Sequence, residues 1–163
     1  MGAGKTVVGR CAAERLGRVF VDLDRNIEQR FGVTISEVFK TRGEVEFRRV
    51  ESLELEATTG RSDLVVATGG GAFSRESNRL MIEDSGGVSV FLDPPWSEIR
   101  RRIGEADPNR PKWVGGDHAR ILFEDRRPDY LKASVHLELG GGETPEEIVD
   151  LMTKALKETA CVF

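Results

Sequence analysis

The sequence predicts an α/β domain in which a parallel sheet is covered by helices on both faces. Two observations carry that expectation. Short apolar, β-rich runs at 18–22, 64–68 and 88–92 are closed by Asp22, Gly69 and Asp93, and helix-compatible stretches separate them. Right-handed crossovers between parallel strands then place the helices on both sides of the sheet. At 163 residues the chain is long enough for one hydrophobic core, so one domain over 1–163 with one main site is expected.

Taken in order, Thr6–Leu16 has helical spacing directly after Met1-Gly-Ala-Gly-Lys5, and Arg18–Asp22 is the first strand. Ile27–Phe31, Ile35–Lys40 and Val45–Thr58 are expected helices leading to the Leu64–Thr68 strand. Ser74–Glu83 is the next helix, Val88–Leu92 the next strand, and Trp96–Ile103 the helix after it. The segment 104–118 is rich in Gly, Pro, Asp and Asn, long for a connector, and reads as a loop closing over a site. Asp117–Asp125 is helical up to the proline at 128, Val135–Leu139 alternates as an edge strand does, and Pro145–Glu158 closes the chain as a helix.

Charged residues make up 32% and hydrophobic residues 39%, the balance of a soluble globular chain. The net charge of -4 leaves no electrostatic footprint for nucleic acid, and no apolar run reaches membrane-spanning length. Cys11 and Cys161 lie far apart, without CxxC or Cys/His spacing, which argues against a disulfide or zinc framework. A cytoplasmic location is the simplest expectation.

Several stretches carry chemistry. Gly2-Ala3-Gly4-Lys5-Thr6 opens a helical pattern as the last part of a phosphate-binding loop, GxxxxGK[ST]. Backbone N–H groups there would face an anion, Lys5 would reach the phosphates, and Thr6 would coordinate magnesium; a chance Gly-Lys-Thr at a helix start is the alternative. Asp22-Leu23-Asp24 closes the first strand, where alternation would put both carboxylates on one side, at the sheet end where ligands bind. One would hold magnesium through water and the other accept a hydroxyl proton, unless both simply cap the next helix. Gly69-Gly70-Gly71 follows a strand, either to let backbone approach a small molecule or to make a tight turn. Arg48 and Arg126 are each flanked by acids; converging, they would clamp an acidic substrate, and apart they would be surface ion pairs.

Read in order, MGAGKT, DLDRNIE, GEVEFRRVE, ATGGGA, NRP and RRPDY resemble the motif series of the shikimate kinases across nearly the whole chain. Gluconate kinases do not follow their acidic motif with IE and a GExxFRxxE segment. The resemblance implies a P-loop fold with a five-stranded parallel sheet of order 2-3-1-4-5, a substrate-binding region at 25–60 and a lid at 104–118. It implies transfer of the γ-phosphoryl of ATP, with Mg2+, to the 3-hydroxyl of shikimate on the way to chorismate and aromatic amino acids. Gly2, Ala3, Gly4, Lys5 and Thr6 would cradle the phosphates, with Asp22 and Thr6 on the metal. Asp24 would bind the shikimate hydroxyls, Arg48 and Arg126 its carboxylate, and Gly70 and Gly71 would line the ring. Arg110 would close with the lid onto the phosphates, and Arg102 would stack on adenine. Partners would be small molecules only, with the protein a monomer.

The chain departs from the pattern in places. Pro-Leu-Leu after the lid arginine is here Pro111-Lys112-Trp113, which bears on lid packing. In the late motif RxPLY, Asp129 replaces leucine, and an aspartate beside Arg126 would compete for its guanidinium. The first loop glycine would lie two positions before Met1. Family members often carry methionine just before GAGK, so Met1 is expected to be internal, with a strand and two loop residues before it. The rival expectation is a truncation, with the central strand missing and the inner edges of the Leu64 and Val88 strands left unpaired or closed on each other. A fragment or a non-catalytic relative, or a P-loop kinase for another acidic metabolite, are the competing readings.

Overall fold

The structure, a computed structural model, describes residues 2–104 and 115–160. In chain order it runs α1 (Lys5–Leu16), β1 (Val19–Asp22), α2 (Leu23–Phe31), α3 (Ile35–Glu56), β2 (Leu64–Ala67), α4 (Glu76–Asp84), β3 (Val90–Asp93), α5 (Trp96–Ile103), α6 (Gly115–Tyr130), β4 (Val135–Glu138) and α7 (Pro145–Ala160). The expected alternation of strand and helix is present. Most of the 104–118 loop, with Arg110 in it, lies outside the described residues.

All the ladders are parallel. Val19 to Asp22 pair with Leu64 to Ala67, and Val90 to Asp93 pair with Val135 to Glu138. Among the described residues no ladder joins β2 to β3, so the strands form two two-stranded sheets with the inner edges of both pairs unpaired.

Helices α1 and α7 hold the two pairs together. Ala3, Val8 and Ala12 of the loop and α1, with Ile148, Val149 and Met152 of α7, form one core with Leu92, Val135, Leu137 and Leu139; Val65 of β2 and Val90 of β3 pack against it. Because side chains alternate along a strand, Phe91 and His136 point to the opposite face, where Phe91 lies 5.2 Å from the Tyr130 ring of α6. A second core, Ile27, Val38, Phe47 and Val50, joins α2 to α3.

Three elements differ from the sequence expectation. Asp22 ends β1 and caps α2 by accepting from the Arg25 N–H at 3.3 Å, so Asp24 stands on the first turn of a helix. The two carboxylates are therefore not alternating strand positions. The helices expected at 35–40 and 45–58 abut into α3, bent at Gly43, whose φ of 78° and ψ of 170° are accessible to glycine alone. The helix expected to stop before Pro128 runs on to Tyr130. A proline forfeits one helical donor and crowds the carbonyl four residues back, a cost that the last turn bears more easily than the middle.

Candidate active site

Two clusters of functional side chains lie at the carboxyl ends of β1 and β2, with Asp22 in one and Asp24 in the other. The first is built on the entry to α1. Gly2 and Gly4 both have left-handed backbones, with φ of 62° and 86°. Gly4 is the N-cap, and no acidic residue in the first turn of α1 opposes the positive end of the helix dipole. The Thr6 hydroxyl donates to Asp22 Oδ2 at 2.9 Å, which brings together the two residues expected to serve magnesium. A hydroxyl and one carboxylate are hard oxygen donors, suited to a cation that keeps most of its waters and binds phosphate. Asp22 thus caps a helix and at the same time faces the loop.

Arg102 closes this cluster from the far side. Its Nε donates to Glu98 Oε1 at 2.7 Å, and a side-chain carbon on Gly4 would lie 3.1 Å from its Nη1. Glu98 is held at a pKa of about 2, foremost by its hydrogen bond from Arg101 and then by that from Arg102. The guanidinium expected beside adenine is therefore fixed at the edge of the phosphate loop.

The second cluster surrounds the glycine turn after β2. Side-chain carbons are excluded by space: one on Gly71 would fall on the Arg48 guanidinium, and one on Gly69 would lie 2.8 Å from both Asp24 Oδ1 and Glu51 Oε1. Arg48 Nη1 donates to Glu51 Oε2 at 2.6 Å and Nε to Glu44 Oε1 at 3.4 Å, while the guanidinium lies 5.0 Å from the centre of the Phe47 ring. It is a half-buried, doubly held cation rather than a surface pair. Tyr130 donates its hydroxyl to the Gly70 carbonyl. Arg126, one helical turn before Tyr130, lies near enough to lower the pKa of both Tyr130 and Glu51. The two arginines therefore converge on the glycine turn.

Electrostatics mark this cluster as desolvated. Glu51 is fully buried, its Oε1 has no hydrogen-bond partner among the described residues, and burial pushes its pKa up; Arg48 opposes the shift, Asp24 adds to it and Arg126 opposes it. Burial likewise raises Tyr130. One face of α4 braces the whole: Arg75 Nη1 donates to the Arg48 carbonyl at 3.1 Å, Asn78 Nδ2 to the Ala72 carbonyl at 2.9 Å, and Arg79 Nη1 to the Phe73 carbonyl at 2.9 Å. Asn78 is fully buried and also accepts from Ser52.

Every expected site residue within the described part falls in one of these clusters or in the loop entering α1. Glu51, Tyr130 and the α4 brace were missed. Glu51 stands three residues after Arg48, a helical pairing distance, but in a run so rich in charge that nothing singles it out. The competition expected between Asp129 and Arg126 does not occur: Asp129 pairs with Arg79 and Lys132.

The chain is similar to known proteins over nearly its whole length. The model of the family described as shikimate kinase matches residues 1–157. The shikimate kinase of Synechococcus elongatus is 37% identical over 98% of this chain and 86% of its own length. That of Acinetobacter baylyi is 45% identical over 84% of this chain and 77% of its own. Among solved structures, the shikimate kinase from Acinetobacter baumannii in complex with shikimate superposes with a TM-score of 0.90 at 36% identity, covering 97% of this chain and 89% of that one. The Aquifex aeolicus shikimate kinase gives 0.85 at 29% identity, covering 98% and 94%. With the family model matching residues 1–157 and relatives 37% and 45% identical over most of their length, the chain belongs to the shikimate kinase family.

Proposed function

We propose that this chain transfers the γ-phosphoryl group of ATP to the 3-hydroxyl of shikimate, giving shikimate 3-phosphate for chorismate and aromatic amino-acid synthesis. The observation that carries the reading is the convergence of Arg48 and Arg126 on a glycine turn from which side chains are sterically excluded. Two guanidiniums held in a desolvated pocket suit a carboxylate, and Gly70 and Gly71 leave room for a ring against backbone.

Residues of the first cluster then handle phosphate. The backbone N–H groups of Gly2, Ala3 and Gly4 and the N-terminus of α1 bind the anion, and Lys5 neutralises charge as it moves. Mg2+, when bound at Thr6 and Asp22, supplies charge neutralisation on the phosphate oxygens. Asp24, on the turn between the clusters, orients the acceptor hydroxyl and takes its proton. In phosphoryl transfer most of the acceleration comes from such positioning and charge stabilisation. Arg110 completes the phosphate contacts from the lid over 104–118, and Arg102 flanks adenine. Residues 25–60 form the substrate-binding region, and the protein works as a cytoplasmic monomer.

Purified protein incubated with MgATP and shikimate tests the reading by mass spectrometry of the product. Shikimate 3-phosphate is expected, with no turnover of gluconate. Turnover of gluconate without shikimate would overturn it.

A further inference from the structure

Asp129 stands three residues after Arg126 on α6, the spacing at which an acid and an arginine pair on one helix face. A free carboxylate there, held on the same helix at high effective concentration, would compete with the carboxylate of a substrate for Arg126. The structure keeps it elsewhere. Asp129 Oδ1 lies 3.3 Å from Arg79 Nη1 and 2.9 Å from Lys132 Nζ. The lysine side chain is 57% exposed and its pair is screened by water, whereas Arg79 is 15% exposed and anchored by its bond to the Phe73 carbonyl. Arg79 is thus a fixed cation, tied to the glycine turn, that receives the aspartate from the neighbouring helix. A leucine at 129, as in the motif this segment resembles, would need no such restraint.

We propose that Arg79 is a positioning residue for substrate recognition: it holds the Asp129 carboxylate away from Arg126 and leaves that guanidinium for the carboxylate of the substrate. This rests on the assignment of Arg126 to the carboxylate clamp. Arg79 touches no substrate; its effect is on the fraction of molecules in which Arg126 is available, and an affinity falls in proportion to that fraction.

The test is steady-state kinetics at saturating ATP on the full chain carrying Arg79→Gln, Asp129→Asn, both together, or Arg79→Lys. Arg79→Gln frees Asp129 to take Arg126 and is expected to raise the KM for shikimate about tenfold, with kcat and the KM for ATP little changed. Asp129→Asn alone should leave all three near wild type, and adding it to Arg79→Gln should restore the KM. Arg79→Lys keeps the cation while losing the guanidinium fork, so its KM should stay near wild type; this variant reads the proposal even if Arg79→Gln does not fold. An unchanged KM in Arg79→Gln, a double variant as impaired as that single one, or a raised KM in Arg79→Lys would each overturn the proposal. Arg126→Ala separates the layers: a normal shikimate KM there removes the clamp assignment itself, whereas a raised KM there with a normal one in Arg79→Gln removes only the role of Arg79.

Discussion

Asp24 and Glu51 face the same glycine, yet they differ in burial. Asp24 is half-buried on the first turn of α2, beside Gly69, where its carboxyl group can orient a hydroxyl. Asp24→Asn keeps its size and removes that carboxyl group, so kcat should fall by roughly a hundredfold or more with shikimate affinity retained, which single-turnover kinetics would show. Glu51 is buried, and its pKa is raised above the ordinary 4.5, foremost by desolvation. Such a shift makes the folded state bind more protons than the unfolded one above that pH. Stability linked to Glu51 is therefore fully present below about 4.5 and is lost as pH rises through the folded-state value. Glu51→Gln has no such loss, so its melting temperature relative to wild type should climb across that window. A difference independent of pH would show that Glu51 does not titrate in the fold.

At the scale of elements, periodicity located every helix and strand in the described residues, but not how they meet. Gly43 could be read as a break between two helices; that the halves abut at a sharp bend follows from Phe39 and Phe47, whose rings sit 4.6 Å apart across it. Alanine at 43 would be forced into a backbone region that L-residues avoid, at a cost of about 1–3 kcal/mol. A corresponding drop in melting temperature for Gly43→Ala is expected, and an unchanged one would mean that α3 straightens. The placement of Asp24 depended likewise on a local contest, won when Asp22 capped the helix that follows it. The brace on α4 was illegible because Arg75, Asn78 and Arg79 act on backbone carbonyls of a distant turn and of α3. No spacing rule reports a partner of that kind. Motif residues were easier, since glycine, lysine and aspartate at strand ends have few other reasons to occur in that order.

Across the whole molecule, the two strand pairs are held by the helix core of α1 and α7 rather than by a continuous ladder. Among the described residues, backbone amides of β2 and β3 that point away from their partner strands have no ladder bond, and hydrogen exchange at these should be fast beside the protected amides of α1. Slow exchange at both inner edges would mean that they are covered in solution. The site draws on this assembly through the entry to α1, the ends of β1 and β2, and α6, which carry the phosphate loop, Asp24, the glycine turn, and Arg126 with Tyr130. On the proposed function, Arg48 and Arg126 recognise the carboxylate of shikimate. Calorimetric titration of shikimate and, separately, of MgATP into wild type, Arg48→Ala and Arg126→Ala tests it most directly. Each substitution is predicted to weaken shikimate by about 2–5 kcal/mol while leaving the nucleotide nearly unchanged; equal losses for both ligands, or undiminished shikimate binding, would contradict it.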